Sequence, residues 1–367
     1  MNILISCGSY SWGGLEMISL ETAKKLRETG LVAKILCSKN SRLEEESNKQ
    51  GFETLPYFSK NTGIISSIFK LKRFLSNNNI DVIHSNHSHD LWVLAPALKL
   101  SGSNAKLFLT KHMASGIKKT DMLHKYLYNR VNGIFAISRY IEQSVKDTCP
   151  VPFEKIHLLP VGIDLDRFDN TKLNKNELKK KYLLPVDKLL IGIVGRITPG
   201  KGHEEFLEAA KIITEKHSGT VHFVVIGNAS FGEEKYEEEI KILAKTLKIE
   251  NITFTGYTSE PQKLIGVLDI LAMPSHNESF GRVLLEAMAL MVPVAASGNA
   301  GVIDIVIDNE SGLLFEPKNS KQMAVKLMKL VESSKLRTKF AENGYKRVKD
   351  VFAFQIMTDK LIKFYTN

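Results

Sequence analysis

Hydrophobic positions along the chain fall mainly in short continuous runs, and segments with a helical apolar period lie between them. In the first half the runs predict strands at Asn2–Cys7, Val32–Cys37, Asp81–His84, Lys106–Thr110 and Gly133–Ile137. In the second half they predict strands at Leu189–Gly195, Thr220–Ile226, Ile252–Thr255, Ile270–Pro274 and Pro293–Ala296. Continuously apolar strands that alternate with helices indicate an α/β fold of two doubly wound, Rossmann-like domains, each with a parallel sheet covered on both faces.

The length of 367 residues also favours two domains over one compact core. The pattern predicts an N-terminal domain over 1–170, a Lys- and Asn-rich linker over 171–185 and a C-terminal domain over 186–350. A closing amphipathic helix over 351–367 is expected to pack back on the first domain. Ligands of doubly wound sheets bind beyond the carboxyl ends of the strands, so we expect the substrates in a cleft between the two domains.

Composition is that of a globular protein, with 43% hydrophobic and 25% charged residues. No run approaches the roughly 18 to 20 apolar residues that span a bilayer, and the start of the chain lacks the features of a secretion signal. The three cysteines, Cys7, Cys37 and Cys149, have neither the number nor the spacing of a disulfide or metal framework. These features predict a cytoplasmic protein.

Charge is unevenly distributed along the chain. Residues 1–185 hold 27 Lys and Arg against 17 Asp and Glu, whereas residues 186–367 hold 23 of each kind. A basic surface attracts nucleic acid, anionic lipid or phosphorylated small molecules. Because no aromatic strand motif or recognition helix accompanies the basic residues, we expect no nucleic-acid partner.

The segment 62–75 is the strongest basic and apolar stretch. It places Ile65, Ile68, Phe69 and Leu75 beside Lys70, Lys72 and Arg73. Such a helix can lie at the surface of an anionic membrane, which would make the protein peripheral on its inner face. An ordinary helix with its apolar face in the core explains the same pattern, and both interpretations remain open.

Glycines follow the first predicted strand. Gly13 and Gly14 stand before a predicted helix, where they allow a close approach of the backbone to an anion at the helix N-terminus. A tight turn with no ligand is an equal alternative, since the dinucleotide-binding spacing is absent.

A second loop, GRITPGKG at 195–202, resembles the start of a nucleotide-binding P-loop. Gly202 occupies the position where a Ser or Thr would hold magnesium, which argues against nucleotide hydrolysis. Arg196 and Lys201 project from the same loop and can hold a diphosphate from two sides.

Three further stretches carry polar residues that could bind a metal or a substrate. Asp164 and Asp166 form a D-x-D pattern in the linker, where a turn is favoured over a metal site. The histidines of HSNHSHD at 84–90 alternate on a loop, and we expect hydrogen bonds rather than metal ligation there. His112 lies just beyond a predicted strand end, on the side expected to carry the substrate site.

Two carboxylates, Glu278 and Glu286, flank the segment SFGRVLL. On a helix they would stand about 12 Å apart, from a rise of ~1.5 Å per residue. The carboxylate pairs of glycosidases stand only ~5 to 9.5 Å apart, so this pair is not expected to attack one bond. The spacing instead fits the two ends of an elongated ligand such as a nucleotide sugar.

These motifs together resemble those of the family 4 glycosyltransferases, which have the GT-B fold. The likeness covers most of the chain: GGLE at 13–16, KH at 111–112, PVGID at 160–164, VGRITPGKG at 194–202, VVIGN at 224–228 and PSHNESFGRVLLEAMALMVPVAAS at 274–297. The resemblance implies retaining, metal-independent transfer of a hexose or N-acetylhexosamine from a nucleoside diphosphate sugar. It implies no cofactor, a UDP donor with GDP second, and a lipid-linked or polysaccharide acceptor in surface-glycan biosynthesis.

The resemblance also implies residue roles. Catalytic roles fall on His112 facing the transferred sugar, on Arg196 and Lys201 at the diphosphate, and on Glu278 at the sugar hydroxyls. Donor-binding roles fall on Gly13, Gly14, Gly227, Asn228, Tyr257, Thr258, Ser279, Phe280, Gly281, Val283, Leu284 and Glu286. Tyr257 and Thr258 would lie near the base, and Glu286 would bind the ribose.

The chain departs from the family pattern at Met291, at the turn 299–301 and at Asp304, and these changes bear on the pocket around the sugar. Two alternatives remain open. A silent GT-B subunit would bind only a partner transferase, although that usually requires a damaged site. A P-loop hydrolase would require magnesium and ATP or GTP.

Overall fold

The computed structural model of the chain describes residues 1–58 and 63–367. Two compact units make up the chain, one of residues 1–162 with 354–367 and one of residues 163–353. The division therefore falls at Gly162, ahead of the boundary at 170 predicted from the sequence. Residues 163–185 belong to the second unit rather than to a separate linker, and Leu173 there packs against Gly266. The predicted cleft between the two domains stays a prediction.

The first unit contains a parallel sheet with the strand order β3-β2-β1-β4-β5-β6-β7. Its strands are β1 (Asn2–Cys7), β2 (Val32–Ser38), β3 (Thr54–Phe58), β4 (Val82–Ser85), β5 (Lys106–Lys111), β6 (Gly133–Ala136) and β7 (Ile156–Leu158). Its helices up to residue 162 are α1 (Gly14–Glu28), α2 (Arg42–Lys49), α3 (Gly63–Asn77), α4 (Leu91–Ser101), α5 (Met122–Asn129) and α6 (Arg139–Thr148).

The second unit contains a parallel sheet with the strand order β10-β9-β8-β11-β12-β13. Its strands are β8 (Leu189–Val194), β9 (Val221–Ile226), β10 (Ile252–Gly256), β11 (Ile270–Met273), β12 (Val294–Ser297) and β13 (Leu313–Phe315). Its helices are α7 (Lys175–Lys181), α8 (His203–Lys216), α9 (Glu234–Thr246), α10 (Pro261–Ile265), α11 (Arg282–Ala289), α12 (Val302–Ile305), α13 (Ser320–Glu332) and α14 (Ser334–Arg347).

The predicted class is confirmed, because both sheets are parallel and their strands alternate with helices. The ten predicted strands are present, and the prediction missed β3, β7 and β13. All three lie at sheet edges and have three to five residues. Such short strands offer few apolar positions, and β3 is also interrupted by Pro56, so none of the three gave a distinct apolar run in the sequence.

The last helix, α15 (Phe354–Thr366), belongs to the first unit and contacts α1. Its Tyr365 hydroxyl hydrogen-bonds the Nδ1 atom of the buried His84 on β4. Rings of Phe108, Phe135 and Phe364 pack around this contact with centroids 5.1 to 5.5 Å apart. Aromatic packing and a buried hydrogen bond thus fix the chain terminus to the first sheet.

The segment predicted over 62–75 forms most of α3, with Thr62 outside the described residues. Leu75 is buried and Ile68 half-buried, whereas Ile65 and Phe69 are exposed. The helix therefore faces the core with Ser67, Leu71 and Leu75, and the inclusion of Leu75 in the predicted interfacial face is wrong. In the described part of the chain, no helix combines the length and apolar character that a bilayer-spanning segment needs.

Candidate functional site

In the second unit, the loops that follow β8 and β9 contact each other at two glycines. Gly195 directly follows β8 and Gly227 directly follows β9, and a Cβ atom on Gly227 would lie 2.0 Å from the Gly195 carbonyl oxygen. Gly227 has a φ of +129°, in the region that favours glycine. The loop after β8 continues alongside, since the Ile197 amide donates to the Asn228 carbonyl at 2.9 Å. This contact places the Arg196 loop beside the predicted donor-binding residues Gly227 and Asn228.

The loop that carries Lys201 packs against the segment that follows β11. A Cβ atom on Gly202, whose φ is +80°, would lie 2.3 Å from the Pro274 carbonyl oxygen. The His276 amide donates to the Gly200 carbonyl at 2.9 Å, and the His276 ring contacts Glu205 at 2.7 Å. A Ser or Thr at position 202, which a P-loop would need for magnesium, has no room here.

Lys201 and Glu278 form an ion pair, with 2.6 Å between Nζ and Oε2. Both side chains keep part of their surface open to solvent, about a third and a fifth respectively. Arg196 lies on the same loop and donates to the Ser230 hydroxyl at 3.3 Å. The structure therefore brings two of the predicted catalytic residues together and leaves their charges accessible to a ligand.

The N-terminus of α11 presents backbone amides beside this ion pair. Gly281 precedes the helix with a φ of +91°, and Phe280 is buried. Leu284 is fully buried, and its amide donates to the Gly281 carbonyl at 2.9 Å. The first amides of a helix have no intrahelical partner and attract anions. The predicted residues Ser279, Phe280, Gly281, Val283 and Leu284 thus lie at or next to the N-terminus of this helix.

Glu286 lies one turn into α11, where Arg282, the first residue of the helix, contacts it at 3.2 Å between Nε and Oε1. The two side chains are mostly buried, with 18% and 17% of their surface exposed. Sequence reasoning missed Arg282. Its position four residues before Glu286 could have indicated the contact, because residues at this spacing lie on one face of a helix.

Asn299 holds the segment before Glu278 in place. Its side-chain amide donates to the His276 carbonyl at 2.8 Å and to the Ser297 hydroxyl at 3.1 Å. The Gly301 amide donates to the Glu278 carbonyl at 2.9 Å. The turn 299–301, a departure from the family pattern, therefore supports the backbone of the predicted sugar site.

Of the other departures, Asp304 adjoins this turn, since its amide donates to the Gly301 carbonyl at 3.3 Å. Met291 adopts a φ of +57°, which favours glycine and is costly for a larger side chain. Asp304 offers its backbone carbonyl to Arg347 at 2.8 Å. Neither contact involves the predicted diphosphate or ribose residues.

Aromatic side chains mark the ends of β9 and β10. Tyr257 is two-thirds exposed beside Thr258, directly after Gly256, whose carbonyl accepts the Gly227 amide at 3.1 Å. Phe231, fully exposed on the loop after β9, was missed by sequence reasoning. The sequence feature that could have indicated Phe231 is an aromatic residue in the otherwise polar, Gly-containing loop GNASFGE. That loop is fixed by hydrogen bonds from Thr198 to Glu233 at 2.5 Å and from the Ala229 amide to Glu237 at 2.6 Å.

In the first unit, Gly13 and Gly14 begin α1. The Gly13 amide donates to the Glu16 carboxylate at 2.8 Å, and Glu16 is buried. A Cβ atom on Gly14 would meet no atom of residues 1–58 or 63–367 within 4 Å, so this part of the chain does not require a glycine there. The open space above Gly14 is available to a ligand.

Asp90 organises the loops around α1. Its carboxylate accepts the Gly8 amide at 3.0 Å and the Ser6 hydroxyl, and His87 contacts it at 2.9 Å. The hydrogen bond to Asp90 raises the pKa of His87 despite partial burial. Sequence reasoning gave Asp90 no such role, because Ser6 and Gly8 are more than 80 residues away along the chain.

Two of the histidines in the segment 84–90, His84 and His87, form side-chain hydrogen bonds. Burial lowers the pKa of His84 to about 3, and its Nε2 atom contacts the Thr110 hydroxyl at 2.6 Å. Among the described residues, no group of three His, Cys, Asp or Glu side chains has the arrangement of a metal site. Asp164 accepts the Asp166 amide at 3.3 Å across a short turn, which gives the D-x-D pattern a role in local structure.

His112 follows β5 and contacts the Asn86 side-chain oxygen through Nε2 at 3.0 Å. Burial, and then the charge of Lys111, lower the pKa of His112 to about 4. The ring is therefore neutral at pH 7, and Nε2 carries the proton that it donates to Asn86. This arrangement leaves Nδ1 without a proton at the carboxyl edge of the first sheet.

Comparisons with known families agree with this architecture. The model described as "Glycosyltransferase Family 4" matches residues 12–167, and the model described as "Glycosyl transferases group 1" matches residues 174–347. The two matches correspond to the two sheets.

Individual relatives are similar over parts of the chain. The capsular polysaccharide biosynthesis glycosyltransferase CapM of Staphylococcus aureus is 32% identical over 234 residues, which is 63% of this chain and 60% of CapM. Two D-inositol 3-phosphate glycosyltransferases, from Corynebacterium jeikeium and Xylanimonas cellulosilytica, match over 51% and 40% of their lengths. The chain thus spans about half the length of these curated relatives.

Solved structures are similar over the whole chain. A glycosyltransferase from Rickettsia africae has a TM-score of 0.88 at 23% identity, covering 99% of this chain and 97% of its own. Anabaena HepE, in complex with UDP and glucose, has a TM-score of 0.85 at 20% identity, and all of both chains is covered. These likenesses concern the fold.

Proposed function

Since the chain belongs to the family 4 glycosyltransferases, we propose that it transfers a sugar from a nucleoside diphosphate sugar to a lipid-linked or polysaccharide acceptor. The sugar is a hexose or N-acetylhexosamine, its anomeric configuration is retained, and no metal takes part. The observation that carries this proposal is the accessible Lys201–Glu278 ion pair beside Arg196 and the α11 N-terminus.

The leaving group explains why these residues stand together. When the bond between the anomeric carbon and the phosphate oxygen breaks, its electron pair moves to the diphosphate. Arg196, Lys201 and the α11 amides would stabilise this developing charge without a metal, because they are already oriented before the reaction. Glu278 would then exchange its contact with Lys201 for hydrogen bonds from sugar hydroxyls.

Retention follows if the acceptor hydroxyl attacks from the face that the diphosphate leaves. A new bond forms between the acceptor oxygen and the anomeric carbon, and the acceptor proton moves to the departing phosphate oxygen. No protein nucleophile is needed in this reaction. His112, neutral at pH 7, would contact the transferred sugar without adding a charge beside the reacting carbon.

The donor and the acceptor are inferred from different observations. UDP is favoured, with GDP second, and the complex of Anabaena HepE with UDP and glucose supports that order. The likeness to CapM supports an acceptor from surface-glycan biosynthesis. A cytoplasmic setting is supported by Cys7, Cys37 and Cys149, which are all buried free thiols.

A thermal-shift screen tests the donor. UDP, GDP, ADP and their common sugar conjugates are added in EDTA, and the melting temperature is measured. A donor present at 100 times its Kd should stabilise the protein by about 2.7 kcal/mol. Sugar transfer in EDTA, with retention read by proton NMR of the new linkage, tests the reaction.

Two outcomes would contradict the proposal. Magnesium-dependent hydrolysis of ATP or GTP without sugar transfer would indicate a nucleotide hydrolase. No shift with any nucleotide sugar would indicate a silent subunit.

A further inference from the structure

One side-chain contact joins the two segments that carry Lys201 and Glu278. Glu205 lies in the first turn of α8, and His276 follows β11. Oε1 of Glu205 lies 2.7 Å from Nε2 of His276, and the two side chains keep 14% and 26% of their surface exposed. An ionised carboxylate only accepts hydrogen bonds, so Nε2 of His276 is the donor. This contact spans 71 residues of the chain.

The backbone of His276 is bonded to the same two segments. Its amide donates to the Gly200 carbonyl at 2.9 Å, and its carbonyl accepts the Asn299 side-chain amide at 2.8 Å. Gly200 directly precedes Lys201 in the chain, and Glu205 follows it by four residues. His276 is therefore bonded to the loop on both sides of Lys201, through its backbone on one side and its ring on the other.

The carboxylate of Glu205 is costly to bury. Its Oε1 atom contacts His276, whereas Oε2 is buried and accepts no hydrogen bond from residues 1–58 or 63–367. A buried oxygen that gives up water without gaining a donor lowers the stability of the folded state. The stability of the fold therefore does not explain why a glutamate occupies this position.

We infer that Glu205 is a positioning residue, which acts through His276 to hold Lys201 and Glu278 in register with each other. The inference rests on the proposed function, in which Lys201 stabilises the departing diphosphate and Glu278 binds sugar hydroxyls. Preorganised groups lower the barrier because they need not move as charge develops. A misplacement of about 1 Å can lower the rate about 10²-fold, so a contact that fixes this geometry affects the reaction without touching the substrate.

The ion pair between Lys201 and Glu278 cannot do this alone during the reaction. When the donor binds, each of the two charges turns to a different part of the ligand, and their contact at 2.6 Å opens. The contact between Glu205 and His276 uses neither charge and stays closed. It therefore keeps the two segments together at the stage when the ion pair no longer does.

Two substitutions separate position from charge. Glu205→Ala should lower kcat about 10- to 10²-fold and change KM for the donor much less, because the lost geometry matters most in the transition state. Glu205→Gln keeps an oxygen that accepts from His276 and should restore most of the rate. Glu208→Ala, at an exposed position on the same helix, is the control and should keep the wild-type rate. A glutamine variant as slow as the alanine variant would overturn the inference.

A double-mutant cycle tests whether Glu205 acts through His276. Each of Glu205→Ala and His276→Ala removes the same contact, so the double variant should be no slower than the slower single variant. Losses that multiply would show that Glu205 acts by another route, and the inference would be wrong. The free energy of unfolding, measured with urea, should be close to that of the wild type for Glu205→Ala, since the buried carboxylate contributes little to the fold.

Amide hydrogen exchange provides a measurement that does not depend on activity. The His276 and Gly301 amides donate to the Gly200 and Glu278 carbonyls. Both should exchange faster in Glu205→Ala and at wild-type rates in Glu205→Gln, because local opening sets the exchange rate. Unchanged exchange in Glu205→Ala would contradict the inference. If the exchange result holds but the wild type transfers no sugar, the proposed function fails and the positioning of the ion pair stands.

Discussion

The carboxyl edges of the two parallel sheets differ in how their charged and polar groups are bonded. In the first unit, the charged and polar groups are buried and bonded to one another: Asp90 accepts hydrogen bonds from the β1 loop, and His84 lies between Thr110 and Tyr365. In the second unit, Lys201 and Glu278 form an ion pair that remains partly exposed. The first edge is thus held rigid by internal bonds, whereas the second edge has charges that a ligand can take over.

Because of this difference, we expect the polar groups of the first edge to contribute to folding stability and those of the second edge to ligand binding. A buried, multiply bonded carboxylate contributes to the fold because its removal leaves several polar groups without partners. A partly exposed ion pair contributes little to the fold, so its charges are available for chemistry. Substitutions in the two edges should therefore affect different measurements.

The largest expected effect concerns activity in the second unit. Lys201→Ala removes a preorganised charge from the leaving diphosphate, and we expect kcat to fall about 10²- to 10³-fold. The rate of nucleotide release from the donor, measured with acceptor present, checks this. Lys245→Ala, on the exposed C-terminal turn of α9, is the control and should retain full activity. A wild-type rate for Lys201→Ala would remove Lys201 from the mechanism.

The next effect concerns stability in the first unit. Asp90→Ala should destabilise the protein by about 3 kcal/mol, because Ser6, Gly8 and His87 lose a buried acceptor. Glu278→Ala should cost less than about 1 kcal/mol. Urea unfolding followed by circular dichroism compares the two variants. Similar losses for both would contradict the contrast between the two edges.

Acid should destabilise the protein through its buried histidines. Burial lowers the pKa of His84 to about 3, and the pKa values of His112 and His203 to about 4. Each neutral histidine therefore contributes stability that is complete above pH 6.5 and is lost as the pH falls toward its folded-state pKa. The loss is at most about 1.4 kcal/mol per pH unit for each histidine.

His87 acts in the opposite direction. Its pKa is raised by Asp90, so its contribution is complete below pH 6.5 and is lost as the pH rises through the raised value. Melting temperatures between pH 7.5 and 5 should still fall, because five histidines with lowered pKa values oppose His87. His84→Asn should make this dependence shallower, and an unchanged slope would show that His84 does not carry it.

The smallest expected effect concerns the exposed aromatics. Phe231 and Tyr257 follow adjacent strands, so Phe231 can stack on the base of the donor. Phe231→Ala should raise the Kd for the nucleotide about 2- to 10-fold, from a ring contact of about 0.5 to 1.5 kcal/mol. Phe153→Ala, an exposed phenylalanine in the first unit, should leave this Kd unchanged. Calorimetric titration with UDP distinguishes the two variants.

The elements that could be predicted from the sequence are those specified by a local pattern of apolar residues. Continuous apolar runs predicted the central strands of both sheets, because a buried parallel strand is apolar on both faces. The same reasoning missed β3 and β7 in the first unit and β13 in the second. Edge strands are defined by their neighbours in the sheet, and their own side chains do not specify that position.

The candidate site shows the same division. Arg196, Lys201, Glu278 and Glu286 could be placed after strand ends or on a helix beyond one from the amino-acid sequence, since motif and spacing are local properties. The fold was needed to show that Lys201 contacts Glu278 across 77 residues and that Asp90 supports the first loop across 82. It also decided that Gly202 must remain glycine, because Pro274 lies against it. Such contacts depend on how distant segments pack, and no local pattern encodes their distances.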